Sequence, residues 1–507
     1  MARRLRDPRL LAVFALGAVL RLSQLGHESL WTDELITLEF VTRWSGLELL
    51  VNLPTAQPHL PVYYLVLDAW VAVAGTSALA LRLPSAVFGI AALPAMYLVV
   101  ARTVDHEAGI VAALLLAVSR FHVRFSQEVR MYSLLVFLAL LSVYLLLRVR
   151  ETPTRRNLAG FAAVTVLLAY THVFAVFVVA AEGLYVAYRL LTAEEAALRP
   201  WALAFTPVAL SLVPFVAAAV LLMGGADFSL SYVPPPTVER ALKMVSAYAG
   251  YGFGTTWLVH LVVIPAFLGT AVLGLLRYRL VGFDPKAPVA SLRDGLDLRV
   301  RAATADTSVL LGALFVVPFG LPIVLSYAVT PIFWPRYTIA ASLGLFALVA
   351  RGVRHVDLPL ARYGMAGLLV LAMVPSLGIY YTGDQKEQWR EVGATIDERA
   401  AAGDLVLVAD QITERGARHY VDRDDVRIEG VVVEDSGTGK GPTGNATIRA
   451  YQRDADGVWL VFSHASEAER DRVRDIVADG RERTFHRQYE GVEVYRYEAA
   501  DESGGSA

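Results

Sequence analysis

With 507 residues, 55% of them apolar, and a mean hydropathy of +0.48, the chain is too hydrophobic for one or two soluble domains and falls in the integral membrane class. It has no cysteine, which excludes disulfides, thiol catalysis and thiolate metal sites. The net charge of −2 hides two parts of opposite sign: residues 384–507 hold 27 acids against 17 bases (−10), leaving 29 bases against 21 acids (+8) before them. A membrane part over 1–383 and an acidic domain over 384–507 are therefore expected, with no nucleic-acid partner.

The basic N-terminus "MARRLRDPR" leads into an apolar run from residue 10 that has no small-residue cleavage site, which predicts a retained helix rather than a removed signal peptide. Just past its end, "HESLWTDELITLEF" (27–40) sets Asp33 and Glu34 beside Trp31. Arg/Lys clusters mark the cytoplasmic side and occur at 3–9, 148–157, 277–301 and 351–355. Five apolar stretches separate the first two clusters, and five crossings would put the second one outside, against its charge. The weakest stretch, 59–75, is short and contains Pro61 and Asp68, so it predicts a juxtamembrane helix on the outer face.

With that correction the parity holds for eleven spans, near 10–25, 82–101, 108–119, 131–147, 158–170, 173–191, 201–222, 257–276, 308–328, 336–350 and 362–380. Residues 26–81, 120–130, 223–256 and 329–335 then lie outside, as does the tail. The tail alternates helix-like stretches (387–402, 413–421, 466–479) with β-rich ones (404–409, 426–433, 457–463, 483–491, 492–498), which predicts a small extracytoplasmic α/β domain. The Gly-rich "GTGKGPTG" (437–444) lacks the Walker spacing and predicts a surface loop, and "NAT" at Asn445 is a glycosylation sequon.

The outer loops collect the polar chemistry: Asp33, Glu34 and His59, then Arg82 at the mouth of the second span, then Arg124, Glu128, Arg130 and Tyr132, and later His172, Arg336 and Tyr337. Arginine forks pair bidentately with phosphate oxygens, and a carboxylate in reach of an acceptor can take its proton. Structural roles are also open to each. Asp33 and Glu34 can solvate a helix end, Glu128 can pair with Arg124 or Arg130, Arg82 and Arg336 can snorkel to head groups, and His172 can be a packing residue.

The motifs "WTDE", "QPHLPVYY", "RLPSAVFG", "FSQEVRMYSLL", "YTH", "FWPRYTIAA" and "QWREVGATI" together make residues 10 to about 400 resemble GT-C membrane glycosyltransferases of the protein O-mannosyltransferase and aminoarabinose transferase type. The resemblance implies a polytopic helical fold and attack by an acceptor on the anomeric carbon of a polyprenyl (dolichyl or undecaprenyl) phosphate sugar, with inversion. It implies Asp33 as general base supported by Glu34, Glu128 in place of the second outer-loop acid, and Arg82 and Arg336 on the donor phosphate. His59, Arg124, Arg130, Tyr132, His172 and Tyr337 complete the expected substrate-binding set. The "SQE" sequence departs from the Asp usual in these families and leaves sugar and acceptor (protein, lipid or glycan) open. No cofactor is demanded; a divalent metal bridging carboxylate and phosphate is compatible with the chemistry. A flippase for lipid-linked sugars and a membrane-anchored sensor are the rival classes. Transporters place charge near the midplane, and the spans here are poor in ionisable residues.

Overall fold

The computed structural model describes residues 4–56, 60–192, 197–222, 233–281, 297–302, 305–410, 412–432 and 443–500. Two compact units are present: residues 1–23, 44–74 and 82–379 form the first, and residues 24–43, 75–81 and 380–507 the second. Residues 24–43 and 75–81 thus group with the C-terminal residues from 380 onward.

In the first unit every expected span is helical: Pro8–Leu22, Ala78–Thr103, His106–Val118, Tyr132–Glu151, Arg155–Ala169, Ala175–Thr192, Leu198–Leu222, Trp257–Leu275, Ala305–Ala328, Ala341–His355 and Pro359–Thr382. Among the described residues, six helices are long and apolar enough to cross a membrane: Ala78–Thr103, Tyr132–Glu151, Ala175–Thr192, Trp257–Leu275, Ala305–Ala328 and Pro359–Thr382. The pair His106–Val118 and Arg120–Ser126, bent by 63°, is apolar enough to make a seventh if the two helices form one span. The polytopic membrane architecture thus stands, without the figure of eleven being fixed. Helix Pro61–Ala74, at 14 residues and ~1.5 Å per residue, is shorter than a ~30 Å hydrocarbon core.

The helix ends that carry the arginine clusters meet in one layer of ion pairs. Arg9 bonds Asp7 and Glu107, His106 bonds Asp7, Arg102 bonds Glu151, Arg150 and Arg189 share Asp306, and Arg354 pairs with Asp105. Each is exposed enough to contribute modestly to stability. Their shared level shows that successive helices alternate in direction, as the charge parity requires. Strands β1 (Leu276–Val281) and β2 (Asp297–Ala302) form an antiparallel hairpin in the third basic loop.

Helices Trp257–Leu275 and Ala341–His355 make the most intimate crossing. A Cβ on Gly352 would collide with the Thr270 carbonyl, and one on Gly274 with the Leu348 carbonyl. Between membrane helices, small residues are what permit such backbone approach.

In the second unit a five-stranded sheet has the order β4-β3-β5-β7-β6. β3 (Leu405–Ala409) pairs parallel with β4 (Arg427–Gly430) and β5 (Gly457–Phe462), while β7 (Val492–Ala499) runs antiparallel to β5 and to β6 (Arg481–Tyr489). β3 and β5 are buried throughout, hence their unbroken apolar sequences. Leu405, Leu407, Leu460 and Phe462 pack with Val473 and Val477 of helix Glu467–Ala478 on one face. Val406, Val408, Trp459 and Val461 pack with Trp389, Val392 and Ile396 of helix Trp389–Arg399 on the other. The predicted α/β domain is present, with one helix, Asn445–Gln452, that its polar sequence did not announce. The Gly-rich loop lies almost wholly outside the described residues.

Gly352→Leu is expected to prise the glycine crossing apart and destabilise the detergent-solubilised protein by on the order of 1–3 kcal/mol, read as a lower midpoint in thermal unfolding. An unchanged midpoint would mean that the helices do not meet at Gly352.

Candidate functional site

In the first unit the polar residues are arranged by a helix break at Ser119. Ser119 Oγ accepts from the His122 N–H at 3.4 Å and donates to the Tyr248 carbonyl at 2.8 Å. The carbonyls freed where helices end need donors, and two buried side chains provide them. The Arg21 guanidinium donates to the carbonyls of Leu116 (3.0 Å), Ala117 (3.2 Å) and Gly17 (3.1 Å), placing a cation at the negative end of helix His106–Val118. The Gln127 amide lies 2.7–3.2 Å from the carbonyls of Leu20, Arg21 and Ser23 at the end of the first helix. Ser85 Oγ donates to the Arg130 carbonyl (3.1 Å) and bonds the Tyr63 hydroxyl (2.9 Å), fixing the loop against the helix that bears Arg82.

On this frame Arg82, Glu128, Arg130, Tyr132 and His172 are all buried. Arg124 Nε donates to Glu128 Oε1 at 2.9 Å, so of the two pairings open to Glu128 in the sequence, the structure contains the one with Arg124. His172 stacks among Tyr132 (centroids 5.5 Å), Phe174 (5.3 Å) and Tyr337 (6.2 Å), and the Arg336 guanidinium covers the Tyr337 ring at 5.5 Å. His172 sits in the break between helices 155–169 and 175–192, where burial, followed by the Arg130 and Arg336 charges, pushes its pKa down to about 3. It is neutral, its Nδ1 accepts from the Phe174 N–H at 3.2 Å, and Nε2 carries the proton as a donor. The arrangement offers guanidinium cations, one carboxylate, two phenols and an imidazole N–H, a set suited to phosphate and sugar hydroxyls.

The second unit holds Asp33 and Glu34 in the first turn of helix Thr32–Arg43. They differ sharply. Glu34 is fully buried, and both its oxygens lie 3.2 Å from Lys386 Nζ, itself buried. Asp33 is half-buried. The next residue, Glu387, accepts from the Thr32 hydroxyl (2.7 Å), the Trp389 indole (2.5 Å) and His464 Nε2 (2.6 Å). His464 is one of two described non-glycine residues with positive φ (59°), a strained backbone held by its surroundings. Its pKa is raised, first by the Glu387 bond, against burial, with Asp410 and Asp33 adding in the same direction. Glu387 is lowered: burial opposes ionisation, but the bonds from His464, Trp389 and Thr32 outweigh it. Lys386, Glu387 and His464 escaped the sequence reading, although "KE" stands directly before "QWREVGATI". His59 lies outside the described residues. No group of three His, Asp or Glu side chains suited to a metal ion occurs among the described residues.

The chain thus combines helices set in opposed directions, a buried cluster of arginine, glutamate and aromatic side chains in its first unit, and an α/β domain after the last helix. Residues 56–223, a third of the chain (168 of 507), match the family model of dolichyl-phosphate-mannose-protein mannosyltransferases. The fold is similar to that of ArnT from Cupriavidus metallidurans (TM-score 0.61, 12% identity, 96% of this chain and 97% of that one), and to the same protein bound to undecaprenyl phosphate (TM-score 0.57, 12% identity, the same coverage). It is also similar to the Archaeoglobus fulgidus oligosaccharyltransferase (TM-score 0.52, 11% identity, 96% of this chain and 72% of that one). No curated protein matches the chain by sequence. The GT-C fold implied by the sequence motifs is therefore the fold of this protein.

Lys386→Met strips the ammonium from buried Glu34 and is expected to cost about 3–5 kcal/mol, measured by chemical unfolding; a change below 1 kcal/mol would show that Glu34 is solvated.

The His464–Glu387 pair makes a pH prediction. The raised His464 pKa contributes stability that is fully present below 6.5 and lost as pH rises through the folded value. The lowered Glu387 pKa contributes stability present above 4.5 and lost as pH falls through its folded value. Glu387→Gln should bring the His464 titration, followed by NMR, back toward or below 6.5; an unmoved titration would exclude the coupling.

Proposed function

We propose that the protein is a membrane glycosyltransferase that moves a sugar from a polyprenyl phosphate to an acceptor on the outer face, with inversion. The observation that carries this is the burial of Arg82, Arg130, Glu128, Tyr132 and His172, with the half-buried Tyr337 ring beside His172, at the end of the helices opposite the ion-pair layer. The match to mannosyltransferases and the likeness to a protein crystallised with undecaprenyl phosphate support the same reading.

In this reaction the acceptor hydroxyl or amine attacks the anomeric carbon, its bond to the phosphate oxygen breaks, and the lipid phosphate departs as an anion. Such a leaving group needs clamping cations rather than a general acid. Arg82 and Arg336 take that role, Arg130 stands near them, and Arg124 serves mainly to orient Glu128 through their 2.9 Å contact. Asp33 receives the acceptor's proton. Glu34, whose charge is answered by Lys386, supports the turn that bears Asp33 and takes no proton itself. The C-terminal domain is extracytoplasmic in this reading, because it follows a helix whose other end adjoins the basic layer.

The flippase alternative asks for charge within the spans. Among the described residues Glu182 is such a group, fully buried on helix Ala175–Thr192 and accepting from Ser142 at 2.7 Å. It is bonded to a hydroxyl pair, Ser142 and Thr165, and joins three helices. A single helix-tying acid is not the paired charge of a translocation path.

Asp33→Asn is expected to lower transfer of radiolabelled sugar from a polyprenyl phosphate by ~100-fold or more, with unfolding unchanged. Arg82→Lys and Arg336→Lys should weaken donor affinity while acceptor affinity holds, because Lys keeps the charge and loses the fork. Wild-type turnover in Asp33→Asn would remove it as base, and full donor affinity in both Lys variants would remove the clamp.

A further inference from the structure

Helix Val238–Tyr248 lies in the loop before span Trp257–Leu275 and is strongly two-sided: Met244, Val245 and Tyr248 are buried, Glu239 is exposed, and Arg240 and Lys243 are half-buried. The cations do not reach into water. The Arg240 guanidinium is held over the rings of Phe253 (5.5 Å) and Trp334 (5.7 Å), and Lys243 Nζ lies 4.9 Å from the Trp257 ring while donating to the Phe253 carbonyl at 3.1 Å. Aromatic faces hold a cation without using up its hydrogen-bond donors. Among the described residues the one carboxylate paired with this group is Glu239, on Lys243 at 2.9 Å and itself largely exposed. Arg240 Nη1 is buried without a hydrogen-bond partner.

Buried donors left unsatisfied in this way are costly unless a ligand answers them. The surroundings identify the ligand's other half. Below Trp257, the Leu258, Leu261 and Val262 side chains are 64–77% exposed on a membrane helix, so they face acyl chains. Trp257 stands at the interfacial level that tryptophan favours.

We propose that Arg240 and Lys243, walled by Phe253, Trp257 and Trp334, form a binding site for the phosphodiester headgroup of an anionic phospholipid. Its acyl chains run along Leu258, Leu261 and Val262. The net positive charge of the three side chains Glu239, Arg240 and Lys243 selects an anionic headgroup over a zwitterionic one, whose choline would meet the two cations. No group in this site has a part in sugar transfer, so the site stands or falls separately from the proposed enzyme activity.

The test is native mass spectrometry of the full-length, delipidated protein with phosphatidylglycerol or phosphatidylcholine added at equal concentration. The wild type should retain one phosphatidylglycerol about tenfold more strongly than phosphatidylcholine, the size of one charge-assisted contact. Arg240→Gln with Lys243→Gln should bring the two lipids to parity, while Arg155→Gln with Arg156→Gln, on an exposed helix start in the basic layer, should leave the preference intact. If the double variant fails to fold, Lys243→Glu must abolish the preference by itself. Equal retention of the two lipids by the wild type, or an undiminished preference in the site variants, overturns the proposal. Displacement of phosphatidylglycerol by millimolar inorganic phosphate overturns it too, since the site would then recognise a free phosphate and not a lipid.

Discussion

The arrangement of this protein depends on one constraint: a helix that breaks inside a membrane protein must have every freed backbone group answered by protein, because lipid supplies no hydrogen bonds. The chain turns by 63° at Ser119. Arg21 answers the carbonyls at one side of the turn, and Gln127 answers those at the end of the first helix. Ser85, Ser119, Ser126 and Ser133 take up backbone groups around it. None of these residues needs to touch a substrate. Their work is to hold a non-helical, charge-bearing stretch at a fixed place, so that Glu128 and Arg130 are presented by a rigid loop. A loop free to move would have to be ordered by the substrate, at the expense of binding.

The second unit solves a related problem with charge instead of carbonyl caps. The turn that carries Asp33 is tied to the C-terminal domain by two neighbouring residues: Lys386 neutralises Glu34, and Glu387 collects Thr32, Trp389 and His464. A buried ion pair adds little net stability over an apolar pair, but it tolerates no misplacement, since either charge alone is expensive. The pair therefore fixes where the turn sits more than how strongly it is held. The adjacent carboxylates are thus unlike in environment: Glu34 is fully buried against an ammonium, while Asp33 is half-buried.

Much of this was legible in the chain. Apolar runs of membrane-spanning length can only be helices, the arginine clusters alternate because charge resists translocation, and the unbroken apolar β3 and β5 declare strands buried on both faces. The motifs placed Asp33, Arg82, Glu128 and Arg336 among the candidates through family resemblance and outer-face parity. What could not be read was partnership. Glu128 had two arginines within helical reach, and nothing local distinguishes Arg124 from Arg130. Nothing local to Glu34 announced its partner, Lys386, which lies more than 350 positions away.

The sequence by itself thus determined the class of fold, the direction of successive helices and the list of polar groups, because hydrophobic length and charge asymmetry act locally along the chain. Only the tertiary structure decided which acid is spent on an ion pair, which histidine has its pKa lowered by burial and which has it raised by a carboxylate, and which side chains cap the broken helix. Those outcomes depend on burial and on long-range neighbours. A carboxylate in water and one facing an ammonium in a dry interior have the same letter in the sequence and opposite roles in the molecule.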